Sequence, residues 1–257
     1  MPHCYDFEGN KHFDLTPKEA KEMGLLFSVT EMHKVLASPG LERWKLNTAI
    51  EHTDSFPRRP SETMEAFRKR VIRDMYDGSA TDLGTSVHDG IESVLSKQKQ
   101  MKDVHEDLIP YVKPAVEWFL NKGYDIIDLE KVVINKAEGY AGMADVIAKV
   151  PGKDQFFILD WKTTKTIPTS PYPEHLEQVS AYAVAQFGEE MVRDGKVWGC
   201  NYYISTSVID KKTGLPKVKI APHEPKTLPV NYDNFCKVAE LWRIRNDYDP
   251  RPASNSN

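Results

Sequence analysis

The sequence predicts an α+β or mixed α/β fold with a helical layer at the N-terminal end. Three observations lead there. Helical periodicity dominates to about residue 122, short β-branched and aromatic runs separated by turn residues fill 124–162, and a helix, two strands and a final helix follow. On this layout residues 1–122 are a mainly helical N-terminal region, 123–250 are the sheet-bearing core and 251–257, "RPASNSN", are a disordered tail, all in one compact unit.

The elements follow in chain order. "VTEMHKVLASPGLERWKLNTAIEHT" is helical with a break at Ser38-Pro39-Gly40, and "SETMEAFRKRVIRDMYDG", "TDLGTSVHDGIESVLSKQ" and "VHEDLIPYVKPAVEWFLNKG" continue the helical half. "DIIDLEKVVIN", "YAGMADVIAKV" and "QFFILDWK" are strands, separated by the turn stretches "KAEG" and "PGKD". Pro173 opens one helix, "PEHLEQVSAYAVAQFGEEMVRDG". Strands "VWGCNYYISTSVI" and "LPKVKIA", joined by "DKKTG", precede the last helix, "YDNFCKVAELWRIRND".

Composition sets the bounds. The chain has 257 residues, 40% of them hydrophobic, enough for a sizeable core. No apolar run approaches the roughly 18 residues of a membrane span, and the N-terminus has neither a greasy core nor transit-peptide character, so the chain as given reads as cytoplasmic, without membrane contact. Its three cysteines, Cys4, Cys200 and Cys236, are too few and too scattered for a disulfide framework or an iron–sulfur cluster. The net charge of −4 argues against a protein that coats nucleic acid by bulk charge. Arg58, Arg59, Arg68, Lys69, Arg70 and Arg73 nevertheless form a local basic run, either a solvated helix face or a phosphate track.

Acid-x-lysine triplets start at Glu19, Asp160, Asp194, Asp210 and Glu224, so the bare pattern is weak. Asp160 is different because it ends a strand, and a second strand across "PGKD" carries Asp145. A turn centred between Gly152 and Lys153 sets Asp145 opposite Asp160, where like charges destabilise unless a cation lies between them. Lys162 returns to the same face two residues on. Such a strand end suits Mg²⁺ or Mn²⁺, or else it is a Lys162–Asp160 salt bridge on a sheet edge. Gly142 permits a close backbone approach, while Thr163 and Lys165 in "TTKT" supply donors suited to phosphates.

"GMAD", "ILDWKTTK" and "QVSAY", in that order, resemble the G-x-x-D, D-x-K and Q-x-x-x-Y elements of the PD-(D/E)XK nuclease superfamily, in its RecB-like exonuclease branch. Upstream, "FSVTEMHKVLASPGLERWK", "GTSVHDGIESVLS" and "LEKVVIN" look like parts of the mitochondrial genome maintenance exonucleases of that branch, so the likeness spans roughly residues 27 to 205. The resemblance implies a restriction-endonuclease-like core and a metal-dependent deoxyribonuclease, acting on single-stranded DNA with a free end. It implies metal ligands His88, Asp145, Asp160 and the Trp161 carbonyl, catalytic roles for Asp145, Asp160, Lys162 and Glu130, and Mg²⁺ or Mn²⁺ as cofactor. The iron–sulfur variant of the branch is set aside for want of cysteines. DNA contacts fall to Gln178, Tyr182, Thr163, Lys165, Arg68, Arg70 and Arg73, and the setting is recombination, repair or DNA degradation, for example in a phage or bacterium.

Without the resemblance, several of these residues have plainer readings. His88 lies beside the Val87, Ile91, Val94 stripe as a boundary histidine, with Glu92 on its face able to orient the ring. Glu130 is a solvated strand acid, Tyr182 a packed ring and His175 a local charge partner. Trp44 and Tyr76 could stack on bases, though such rings are more often core. Two rivals stay open: a structure-selective endonuclease on the same core, and a noncatalytic DNA-binding module.

Overall fold

The computed structural model describes residues 2–36, 39–75 and 79–252, with the side chains of 39–41, 44, 74, 75 and 79–82 left aside; Tyr76 and the Trp44 ring thus lie outside the described residues. In chain order the elements are β1 (Cys4–Tyr5), β2 (Lys11–His12), α1 (Pro17–Glu22), β3 (Leu26–Ser28), α2 (Val29–His33), α3 (Pro39–Ser55), α4 (Met64–Met75), α5 (Ser79–Leu95) and α6 (Ile109–Asn121). There follow β4 (Asp125–Asn135), β5 (Tyr140–Lys149), β6 (Phe156–Thr164), α7 (Pro173–Phe187), α8 (Glu189–Arg193), β7 (Val197–Ile209), β8 (Pro216–His223) and α9 (Leu228–Asn246). The architecture is mixed α/β, a mixed sheet flanked by helices.

Contacts divide the chain into Met1–Val35 with Val87–Asn257, and Leu36–Ser86, rather than at residue 122. The first unit holds the whole sheet. In the second, α3 packs on α4, and Arg70 clamps the loop before α4 by bonding Glu62 at 2.9 Å and the Pro57 carbonyl at 3.2 Å. The N-terminal region is also less purely helical than its periodicity predicts. β1 to β3 are two or three residues long, too short to carry a period, yet they join the sheet. The helix expected from Pro173 to about residue 195 breaks at Gly188, whose φ of +84 suits glycine and closes α7 before α8 begins.

The "PGKD" turn forms as expected. The Val150 N–H donates to the Gln155 carbonyl at 2.9 Å, Gly152 takes a φ of +67, and the pairs run from Lys149–Phe156 to Val146–Leu159. That register, continued one step, is the one that opposes Asp145 and Asp160.

The ladder stops at that point. β4 pairs along one edge of β5 over its whole length, whereas the opposite edge is shared: β3 takes Tyr140 and Ala141, and β6 takes Val146 to Lys149. Residues 142–145 of that edge lie in the gap, while β6 continues in parallel with β7, pairing Asp160 with Asn201 and Lys162 with Tyr203. The sheet therefore forks at the two aspartates.

α7 and α9 cover one face of the sheet, with Tyr140, Ile147, Ile158, Val179, Phe235 and Trp242 in one core cluster. Ala144 and Ile147 both enter that cluster, although strict alternation would send them to opposite faces, so β5 changes face around Asp145. Its partner in β4 is irregular too, since Glu130 has a φ of +47 in mid-strand. A non-glycine residue in the left-handed region costs about 1 kcal/mol or more, and such positions cluster at functional sites. No helix among the described residues is long and apolar enough to cross a membrane.

Candidate metal centre

The fork gathers side chains from four elements. α5 supplies His88, the left-handed position in β4 supplies Glu130, the face change in β5 supplies Asp145, and β6 supplies Asp160 and Lys162. One ligand atom each from His88, Glu130 and Asp145 falls within 4.8 Å of the others. His88 Nδ1 is 3.7 Å from Asp145 Oδ2, and the same oxygen accepts the Trp161 N–H at 2.6 Å. That bond replaces the missing rung of the ladder.

Asp160 is only 3% exposed and stands apart from this trio. Lys162 Nζ lies 3.1 Å from its Oδ1 and 2.9 Å from its Oδ2, and Asn201 Nδ2 donates to Oδ2 at 3.1 Å. Of the expected ligands His88, Asp145, Asp160 and the Trp161 carbonyl, His88 and Asp145 group with Glu130, and Asp160 is bonded by Lys162 and Asn201. Trp161 itself turns to the opposite face, packing its ring on Tyr202 at 5.2 Å.

The electrostatics match a cation site. Burial, then the charges of Asp160 and Glu130, push the Asp145 carboxyl well above its ordinary range. Burial, then Glu92 and Asp89, raise Glu130 to about 7 against the weaker pull of Lys11. Burial lowers His88, leaving a neutral imidazole able to ligate. Glu92 therefore acts through its charge on Glu130. Buried acids without enough positive charge between them are what a divalent ion would relieve, so the donor set is compatible with a divalent metal.

This predicts a pH effect on stability. The unfolded chain releases the Glu130 proton near pH 4.5 and the folded chain only near 7, so the folded state binds more protons in that window and stability falls as pH rises through it. Asp145 acts in the same sense from about 3.8 upward. Denaturant unfolding in EDTA should show this decline between pH 4.5 and about 7, and Mn²⁺ should remove it. A flat profile in EDTA would mean that the acids are not buried together.

Gln178 and Tyr182, expected to contact DNA, are 7% and 3% exposed. Gln178 Oε1 accepts from Lys162 Nζ at 2.8 Å, and its Nε2 donates to the Tyr182 hydroxyl at 2.8 Å. A Cβ on Gly142 would lie 2.2 Å from Tyr182 Cε1, so the approach that Gly142 permits is made by the tyrosine ring rather than by a phosphate. The three sequence elements meet here: Gly142 admits Tyr182, Tyr182 seats Gln178, and Gln178 aims Lys162.

Other expected contacts fall in different places. Thr163 is half-buried, and Lys165 is exposed with its carbonyl accepting from Ser205 and Ser207. Arg68 and Arg73 are exposed on α4, whereas the Arg70 guanidinium is engaged by Glu62. His175 Nδ1 meets the Tyr203 hydroxyl at 2.9 Å, and burial, then Lys162, lower its pKa to about 4, so it brings no charge to a phosphate at neutral pH. Asn201 and His223 were not read as site residues. A lone asparagine inside the apolar run "VWGCNYYIS" was the available signal, because a buried amide must find partners.

No family model matches the chain. A stretch of 111 residues, 40% of the chain, is 27% identical to Mitochondrial genome maintenance exonuclease 1 of Homo sapiens and covers 31% of that protein, so the chain spans about a third of its length. The similarity points to a nuclease relationship. A solved structure described as the crystal structure of SSO0001 superposes with a TM-score of 0.33 at 15% identity, covering 77% of this chain and 86% of that one.

Proposed function

We propose that the chain is a metal-dependent deoxyribonuclease on a restriction-endonuclease-like PD-(D/E)XK core, acting as an exonuclease on single-stranded DNA. The observation that carries this reading is the trio of half-buried His88 and Glu130 with buried Asp145, beside an aimed ammonium, Lys162. The exonuclease similarity supports it.

His88, Glu130 and Asp145 would hold a divalent ion, with Asp160 completing the site from across the fork. The chemistry such an ion supplies when bound is polarisation of a phosphoryl oxygen and a lower pKa for water. Lys162, fixed by Gln178 and Asp160, would set its charge against the negative charge that develops at phosphorus, where a preorganised cation is worth most. Gln178 and Tyr182 serve that step through Lys162. Thr163 and Lys165 would take phosphates beside the site, and Arg68 and Arg73 of α4 would contact the DNA strand.

The test uses linear and circular single-stranded DNA, labelled at either end, with Mg²⁺, Mn²⁺ or EDTA. Metal-dependent loss of linear strands with circles intact is expected. Cut circles would make it an endonuclease, and intact strands with both metals would favour a noncatalytic DNA-binding module.

A further inference from the structure

Asn201 lies in β7 beside Asp160 and is fully buried. Its amide nitrogen donates to Asp160 Oδ2 at 3.1 Å, and its Oδ1 meets His223 Nε2 at 2.8 Å. His223, from β8, is only 4% exposed and shares the sheet face, because β7 and β8 pair Gly199 with His223 and Asn201 with Ala221. A chain of three buried polar groups therefore runs across three strands and ends on the aspartate at the fork.

The donor directions are fixed by chemistry. An ionised carboxylate only accepts, so the asparagine must turn its nitrogen to Asp160 and its oxygen to His223. His223 Nε2 must then carry the ring proton. A flipped amide would set oxygen against oxygen at Asp160 and leave the histidine without an acceptor. The acceptor-only carboxylate is what makes the flip costly, His223 anchors the far end of the amide, and Asn201 keeps Asp160 Oδ2 in place while Lys162 bridges both oxygens.

We propose that Asn201 and His223 are positioning residues, a relay that holds the Asp160 carboxylate in the orientation needed to complete the metal site. The inference rests on the reading of Asp160 as a member of that site. Partners of this kind, which orient a metal-binding carboxylate from behind, typically change metal affinity or activity about 10–100-fold when removed.

The test compares the wild type with Asn201→Leu, His223→Leu and His223→Gln, the last keeping an N–H donor where Nε2 stood. Free Mn²⁺ is titrated by electron paramagnetic resonance, kcat and KM are measured on single-stranded DNA, and thermal midpoints establish that each variant is folded. Both leucine variants should bind Mn²⁺ about tenfold more weakly and lose kcat with KM unmoved. His223→Gln should stay near the wild type. Equal Mn²⁺ affinity in all four proteins overturns the relay, as does His223→Gln failing to the same extent as His223→Leu. If Asn201→Leu does not fold, the two His223 variants decide the question alone. A wild type that binds Mn²⁺ with the expected pattern yet cuts no DNA sinks the nuclease reading and leaves the relay standing, whereas one that cuts DNA with unmoved affinities sinks only the relay. A wild type that binds no Mn²⁺ removes the relay whatever its activity.

Discussion

Lys162→Ala should reduce DNA cleavage by about 10²–10³-fold while leaving DNA affinity and the fold nearly intact. The ammonium is the cation fixed at the fork, and its two anchors, Asp160 and Gln178, remain after the substitution with other partners: Asn201 still donates to Asp160, and Tyr182 still meets Gln178. The Lys162 side chain is 21% exposed, so its loss opens little core. Lys162→Arg should not restore activity, since a planar guanidinium cannot place its charge where a compact ammonium stands between those anchors. Single-turnover cleavage and a binding titration in Ca²⁺ or EDTA separate the two quantities. Loss of binding in proportion to activity would make Lys162 a substrate grip, and loss of the folded state would make it structural.

Asp145→Asn should do the opposite to stability. In EDTA the protein should gain about 1 kcal/mol, because a neutral amide replaces a buried carboxylate that Asp160 and Glu130 repel. The amide oxygen can still accept the Trp161 N–H, so the bond that closes the fork survives. Cleavage should be lost. Mn²⁺, which should raise the thermal midpoint of the wild type by binding the folded state, should no longer do so. Paired thermal melts with and without Mn²⁺ read both effects. A variant less stable than the wild type in EDTA would show that the aspartate contributes more through its bonds than it costs by repulsion.

Much of the site was legible because it lies on a hairpin. Alternation in "YAGMADVIAKV" and "QFFILDWK", with turn residues between them, fixes a register, and a register fixes which side chains share a face. The strand "DIIDLEKVVIN" coincides with β4 for the same reason. What escaped had no local period. β1, β2 and β3 are stabilised by distant pairing partners, not by their own two or three residues. Glu130 reads as a solvated acid from β4 alone, and it is the β4–β5 register, unshifted from Asp128–Ile147 to Asn135–Tyr140, that sets it opposite Asp145. Gly142 announced a close approach but not by whom, because Tyr182 comes from a helix that begins 31 residues later in the chain. Asn201 and His223 are joined only by the pairing of β7 with β8, which no spacing in the sequence reveals.

The fork also has a mechanical side. β5 goes with β1 to β4, and β6 goes with β7 and β8, so the two halves of the sheet are stitched directly by four residue pairs and by the Trp161–Asp145 bond at the open end. Glu130 and Asp145 stand on one bank of that seam, Asp160 and Lys162 on the other. An ion held between them would act as a rivet across the seam between the two halves of the sheet. The rigidity of the platform would then depend on whether the centre is loaded, with the empty protein expected to be the more compliant of the two.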